Sequence, residues 1–285
     1  MQRKSAPAAL LLGLLLAGAA LAACSAPTQS GGAEAPARAN GDITIAGSTA
    51  LLPLVKDASA AYQDRHKAVK ISVSGGGSAT GIAQVAGHAI DIGDSDIAAP
   101  EHSDLHDNRV AVVGFAIATN PSAGVKNLTK QQLQDVFAGK VANWKQIGGA
   151  DQKIVIVNRP RSSGTRAVFA KTVMGNVPIA ESGLVQDATG TVVSVVKQTP
   201  GAVTYVALSG VTGGVTVLSV DGVAPSAANI VSGKYPIWSY EHMFTVGEPK
   251  GNIADFIDFV QHQTGLVKKN KFIPIGDMKV SEKDR

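Results

Sequence analysis

Residues 42–81 read DITIAGSTALLPLVKDASAAYQDRHKAVKISVSGGGSATG, and this stretch decides the fold class. Its first apolar run, 42–46, alternates as a strand does, and residues 51–66 follow with the pattern of a helix. A second β-type run at 70–74 leads to a short helical stretch at 79–87. Each strand is joined to its helix by a small polar turn, AGSTA at 46–50 and SGGGSATG at 74–81. Strand, polar turn and helix in repetition predict an α/β architecture.

The alternation continues outward. Strands are expected at 90–93, 109–119, 153–157, 203–207, 215–220 and 243–246, and helices at 129–138, 163–173 and 253–262. Thr129 stands as N-cap with Gln132 three residues on, the pattern of a capping box. Helices covering mainly parallel sheets are the expected arrangement, with ligands at the carboxyl ends of strands.

A third polar turn, RPRSSGTR at 159–166, has the same strand-to-helix context. All three turns offer hydroxyls and backbone N–H groups at the positive end of a helix, which suits an anion. One such turn is ordinarily no more than a helix cap. Three in one chain, one flanked by arginines, point to an anion site. The segment DIGDSD at 91–96 brings carboxylates toward it. A carboxylate among donors repels a bare anion but suits one with a proton to give, as hydrogen phosphate has and sulfate lacks. Two opposed acceptors without a proton between them are heavily penalised once desolvated. Without that role Asp96 would be an N-cap or a solvated loop acid.

At the N-terminus, Arg3 and Lys4 precede an apolar run at 8–21, the layout of a secretory signal and too short to span a membrane comfortably. The run ends in Leu21-Ala22-Ala23-Cys24, which resembles a bacterial lipobox, and Cys24 is the single cysteine of the chain. That resemblance implies cleavage after residue 23, acylation of Cys24 and tethering outside the cytoplasmic membrane. Residues 24–41 are rich in Ala, Pro, Ser and Gly and read as a flexible tether. With Cys24 acylated, no thiol is left for disulfides, Cys-ligated zinc or thiol catalysis. Without Arg3 and Lys4, 24 of the 26 basic residues stand against 22 acidic ones, a net of +2. So even a balance argues against nucleic acid as partner.

Taken together, GSTALLPL (47–54), GGGSATGI (75–82), DIGDSD (91–96), RPRSSGTR (159–166), PGAVTYVAL (200–208) and YPIWSYEHMFT (235–245) resemble the phosphate-binding subunits of bacterial phosphate ABC importers. The resemblance covers nearly all of the chain after the tether. It implies a two-lobed periplasmic-binding-protein type II fold, with two crossovers and the ligand in the cleft. The crossings would lie near 115–119 and 235–244, giving lobe one at 42–116 and 241–285 and lobe two at 117–240. It implies inorganic phosphate as ligand, an ABC permease as partner, a monomer and no cofactor. Carried over by position, Ser48, Thr49 and the backbone of Ala50 would donate from the first turn and Ser78 from the second. Asp96 would accept the phosphate proton, Arg159 would supply the charge, and Ser163, Gly164 and Thr165 would close the site. Arg166 is a second candidate for ligand contact. The chain departs from the pattern at Ala79, Asp94, Pro160 and Arg161, and Asp94 and Arg161 are expected to offset one another.

Three other readings remain open at this level: a phosphate-ester hydrolase, a binder of sulfate, molybdate or tungstate, and a sensor or adhesin on the same fold. No Gly-x-Ser-x-Gly elbow, His-Glu-x-x-His or Walker A lysine is present. His102 and His106, near Asp104 and Asp107, would share a face only if helical, and a solvated loop is the simpler expectation. Trp144 and Trp238 read as packing residues.

Overall fold

The computed structural model describes residues 41–284. The signal segment, Cys24 and the tether up to residue 40 lie outside the described residues. In chain order the strands are β1 (Ile43–Gly47), β2 (Ile71–Gly75), β3 (Ile92–Ser95), β4 (Leu105–Thr119), β5 (Asn127–Leu128), β6 (Val155–Asn158), β7 (Leu184–Val185), β8 (Ala202–Ala207), β9 (Thr216–Val220) and β10 (Trp238–Val246). The α-helices are α1 (Leu52–Arg65), α2 (Ser78–Ala86), α3 (Lys130–Phe137), α4 (Gly164–Phe169), α5 (Thr189–Gln198), α6 (Ala227–Val231), α7 (Gly251–His262) and α8 (Thr264–Lys269).

The sheet runs β2-β1-β3-β10-β4-β8-β6-β7, with β9 beside β4 and β5 beside β9. It is mixed rather than mainly parallel. β1 pairs in parallel with β2 and β3, and β6 with β7 and β8, as short βα units require. The centre differs, because β10 runs antiparallel to both β3 and β4, and β4 antiparallel to β8 and β9. The chain leaves along β4 and returns along β10, and two neighbouring passes in opposite directions can only pair antiparallel. β4 changes partners midway: residues up to Gly114 face β10, and Phe115–Thr119 face β8. A bulge interrupts the β4–β10 ladder between Glu241 and His242.

Burial follows these positions. β8 is buried throughout, as a strand covered on both faces must be. α1 turns Leu54, Val55, Ala58 and Tyr62 inward, one helical stripe. α3 begins with the expected capping box: Gln132 N–H donates to Thr129 Oγ1 at 3.1 Å and Thr129 N–H to Gln132 Oε1 at 2.9 Å. Such a cap is worth about 1 kcal/mol. α4 continues without a break into a π-helical turn at Ala170–Met174, which completes the helix expected at 163–173. Trp144 and Trp238 are fully buried packing residues, the former donating its Nε1–H to Gly201 O at 2.9 Å. His102 lies in a turn with φ of 64° and His106 lies in β4, so the two share no helical face.

Candidate functional site

All three polar turns sit where the sequence placed them, between a strand's carboxyl end and a helix start: β1 to α1, β2 to α2 and β6 to α4. The first two, with the end of β3, form one wall, and the third, with the start of α5, forms the other. Ser48, Ser78, Asp96, Arg159, Ser163 and Thr165 are each no more than 2% exposed, although all lie in or beside turns. Loops are normally solvated, so burial of this much polar chain marks a built interior site.

Asp96 is its centre. Ser48 Oγ donates to Asp96 Oδ1, and Thr165 Oγ1 reaches across from the other wall to Oδ2 at 2.8 Å. The Asp96 backbone N–H donates to Ser78 Oγ at 2.9 Å, and Ser239 Oγ donates to Asp96 O at 2.7 Å. Burial pushes the Asp96 carboxyl up from its ordinary value, and Ser48, Thr165, Arg159 and Glu241 pull it back. Asp96 is neither a helix cap nor a solvated acid.

Arg159 approaches from the second wall. Its Nε donates to Gln186 O at 3.0 Å, and Nη2 donates to Asp187 O at 2.7 Å and to Thr49 Oγ1 at 3.1 Å. Nη1 is buried without a hydrogen-bond partner among the described residues. Burial lowers the guanidinium's proton affinity, and Asp96 raises it again. Thr49 Oγ1 also accepts from the Thr189 backbone N–H at 3.2 Å, at the first residue of α5.

The remaining expected residues are nearby, with differences. The Ala50 N–H donates to Ser48 Oγ at 3.1 Å, so the fold already occupies it. Ser163 is the N-cap of α4 and accepts from Arg166 N–H at 3.3 Å. Gly164 packs against Ser78 and Asp96 so closely that a Cβ would collide with the Ser78 hydroxyl. Gly77, at φ of 93°, brings its backbone against Ser162 O, where a Cβ would sit 2.8 Å away. Arg166 spends its guanidinium on Arg159 O at 2.7 Å and Glu181 Oε1 at 3.1 Å, so it braces the arginine turn.

The expected offset of Asp94 by Arg161 does not occur. Arg161 is solvent-exposed and pairs with Glu181 at 3.0 Å, whereas Asp94 is buried with neither oxygen hydrogen-bonded among the described residues. Desolvation, then the neighbouring Asp96, push Asp94 well above the ordinary carboxylate range. Glu241, fully buried on β10, is shifted the same way by burial and by Asp96 and Asp94. The consequence for stability has a definite sign. Unfolded, these carboxyls titrate near 3.8 and 4.5. Below that range both states hold the protons. Above it the unfolded chain releases protons that the folded chain keeps, so stability falls by up to about 1.4 kcal/mol per pH unit per group. Asp94→Asn is therefore expected to gain stability relative to wild type as pH rises above the unfolded carboxyl range. A melting difference independent of pH would contradict this.

Sequence reasoning missed several supports. Tyr205 Oη donates to Asn158 Oδ1 at 2.7 Å and accepts from the Arg159 N–H at 3.4 Å, clamping the end of β6. Burial pushes that phenol up to about 12, so it is a hydroxyl donor throughout the ordinary range. The carbonyls of Gln186 and Asp187, and Thr189, carry no local motif, and nothing within YPIWSYEHMFT marks Glu241, so only tertiary proximity reveals them. A separate cavity of about 540 Å³ involves none of these residues. It is lined by Leu208, Ile230, Phe272 and Pro274, and its cations are engaged, Lys268 with Asp277 and Lys271 with Val211 O. It offers an anion nothing comparable.

A two-lobed α/β fold with buried donors facing each other across a cleft defines the class of solute-binding proteins. The sequence matches the model of the PBP superfamily domain over residues 32–263. It is 43% identical over 266 residues to the phosphate-binding protein PstS of Bacillus subtilis, covering 90% of this chain and 88% of that one. PstS of Borreliella burgdorferi is 26% identical over 250 residues, covering 82% of this chain and 90% of its own. Among solved structures, a substrate-binding protein of Clostridium perfringens with bound phosphate superposes with a TM-score of 0.79 at 27% identity, over 82% of this chain and all of that one. An ABC-type phosphate transport receptor of Vibrio cholerae gives 0.68 at 28% identity, over 81% and 99%. The chain belongs to the PstS family of phosphate-binding proteins within the PBP superfamily.

Proposed function

We propose that this protein captures inorganic phosphate outside the cytoplasmic membrane and delivers it, unchanged, to the permease of an ABC importer. The observation that carries the reading is Asp96, a buried carboxylate ringed by donors and facing a buried arginine. A fully deprotonated oxyanion meets repulsion there, and a protonated one meets an acceptor. Thr49, Ser78 and the first N–H groups of α4 supply donors for the other oxygens, Ser48 and Thr165 donate to Asp96, and Arg159 offers the N–H groups of Nη1, which has no partner among the described residues. The change of partner along β4 at Gly114 and Phe115 supports lobes at 42–116 with 241–285 and at 117–240, hinged where β4 and β10 run side by side. Hydrogen bonds such as Thr165 to Asp96 and Arg159 to Thr49 then join the lobes across the cleft.

Among the described residues no helix is long and apolar enough to cross a membrane. Attachment through an acylated Cys24, as a monomer, fits that chain, and the full-length protein is expected in the membrane fraction.

Calorimetric titration of anion-stripped protein tests the assignment. Phosphate is expected to bind one to one and sulfate not at all. In Asp96→Asn phosphate affinity should fall about 10- to 100-fold, the worth of a hydrogen bond to a charged group, and sulfate should begin to bind. Equal affinity of the unaltered protein for sulfate and phosphate would sink the reading.

A further inference from the structure

The anion site uses Asp96, yet two more carboxyls, Asp94 and Glu241, are buried beside it with no cation of their own among the described residues. Strand geometry assigns Glu241 a direction. On β10, Tyr240, His242 and Phe244 share one face: His242 stacks on Phe244 and Arg109 lies over the Tyr240 ring. Ser239 and Glu241 take the other face, where Ser239 Oγ donates to Asp96 O; the β3–β10 register, with His242 opposite Ser95, puts Glu241 next to Asp96, and neither Glu241 oxygen finds a donor among the described residues. The extra residue of the bulge in the β4–β10 ladder is Val110 on β4, so the alternation along β10 is unbroken there.

Two carboxylates cannot share a hydrogen bond without a proton, so one of the pair must keep its hydrogen. Asp96 has Ser48, Thr165 and the attraction of Arg159 to favour its anion, and Glu241 has none of these. The hydrogen therefore stays on Glu241. A carboxylate offers about four lone-pair positions. Ser48 and Thr165 occupy two, a hydrogen from Glu241 would take a third, and one is left for a ligand.

We propose that Glu241 is a positioning residue for the anion site, a neutral carboxylic acid that donates to Asp96 and keeps it an anion with a single acceptor position for the ligand's hydrogen. The proposal rests on the phosphate reading above and deepens it: selectivity for a protonated oxyanion depends on a residue that does not touch the ligand. The charged groups around Glu241 are few. Asp94 and Asp96 face it from β3 and its end, and Arg159 faces Asp96 from the other wall. Its β4 partner is Ala111, and α2, packed on β10, carries no charge. His242 and Asp107 pair at 2.6 Å on the opposite face of the strand. Lys171 and Glu282 line a cavity of about 230 Å³ beside Asp96 and Ser239.

The test compares wild type, Glu241→Gln and Glu241→Leu as full chains in detergent, titrated with phosphate and with sulfate between pH 5 and 8.5. Glutamine keeps a donor toward Asp96 and is expected to retain the wild-type profile for both anions. Leucine removes the donor, so Asp96 takes up a proton at higher pH. Its phosphate affinity should begin to fall at least about one pH unit earlier on acidification, tenfold in proton concentration, and sulfate should bind in that range. Infrared spectra at pH 7 give a second readout that needs no ligand: the carboxylic acid carbonyl band of wild type should lose intensity in Glu241→Gln. An unshifted leucine profile in a folded protein overturns the proposal, as does an undiminished acid band in the glutamine variant. Absence of phosphate binding by wild type would instead overturn the phosphate reading, and the infrared comparison would still decide the role of Glu241.

Discussion

Arg159→Ala should weaken phosphate binding by at least two orders of magnitude while the protein still folds. The side chain is 1% exposed and is held by Gln186 O, Asp187 O and Thr49 Oγ1, so it is positioned before any ligand arrives. Its Nη1 is a buried donor with no hydrogen-bond partner among the described residues, so its desolvation is already met before a ligand binds. Removing one partner of a buried ion pair costs roughly 3–5 kcal/mol, which is about 10²- to 10³-fold or more in affinity. Asp96 aggravates the loss, because without Arg159 the anion would face a carboxylate with no cation beside it. Arg159→Lys should recover only part, since an ammonium is a point charge and cannot reproduce the fork. Calorimetry with a thermal melt checks both. Binding of Arg159→Ala within threefold of wild type would remove Arg159 from the site.

The second large effect concerns a residue with no side chain. In Gly164→Ala the new Cβ would collide with Ser78 Oγ and lie 2.8 Å from both Ser78 Cβ and Asp96 Cβ. Those atoms belong to the opposite wall, so the methyl group props the walls apart at the position of Thr165 and Asp96. Gly164 is the first residue of α4, where alanine suits the helix better than glycine by up to about 1 kcal/mol. Folding and binding should therefore separate. The unliganded protein is expected to melt at or slightly above the wild-type temperature. Its phosphate affinity should fall about 5- to 150-fold, the range for an overpacking cost of 1–3 kcal/mol. A variant that loses stability and affinity together would place Gly164 in the fold rather than in the closing of the site.

Much of this was legible locally. Most strand and helix positions followed from apolar periodicity to within a few residues, although β10 begins at Trp238 rather than near Met243, and the three polar turns followed from glycine and hydroxyl composition beside a strand end. Thr129 and Gln132 announced their capping box because both partners lie within one turn. The failures share a cause. The two-residue strands Asn127–Leu128 and Leu184–Val185 exist only through partners far along the chain. Helices α5, α6 and α8 went unforeseen as well. The expectation of mainly parallel pairing failed where β4 meets β10, because the direction of a neighbour more than a hundred residues away leaves no trace in local pattern.

The site divides the same way. Sequence by itself determined that this chain is α/β and that three polar turns fall at helix starts, properties of short segments set by residue type and spacing. It also singled out Asp96 as a candidate carboxylate, and the family resemblance singled out Arg159 as its candidate cationic partner. Only the tertiary structure decided that Asp94 is buried and unpaired with Arg161, that Tyr205 and the 186–187 carbonyls hold Arg159 in place, and that Glu241 is buried next to Asp96. A carboxyl's charge depends on how much water reaches it and which groups surround it. Both are settled when distant strands pack together, so identical letters in a row can be a solvated acid or a neutral hydrogen-bond donor.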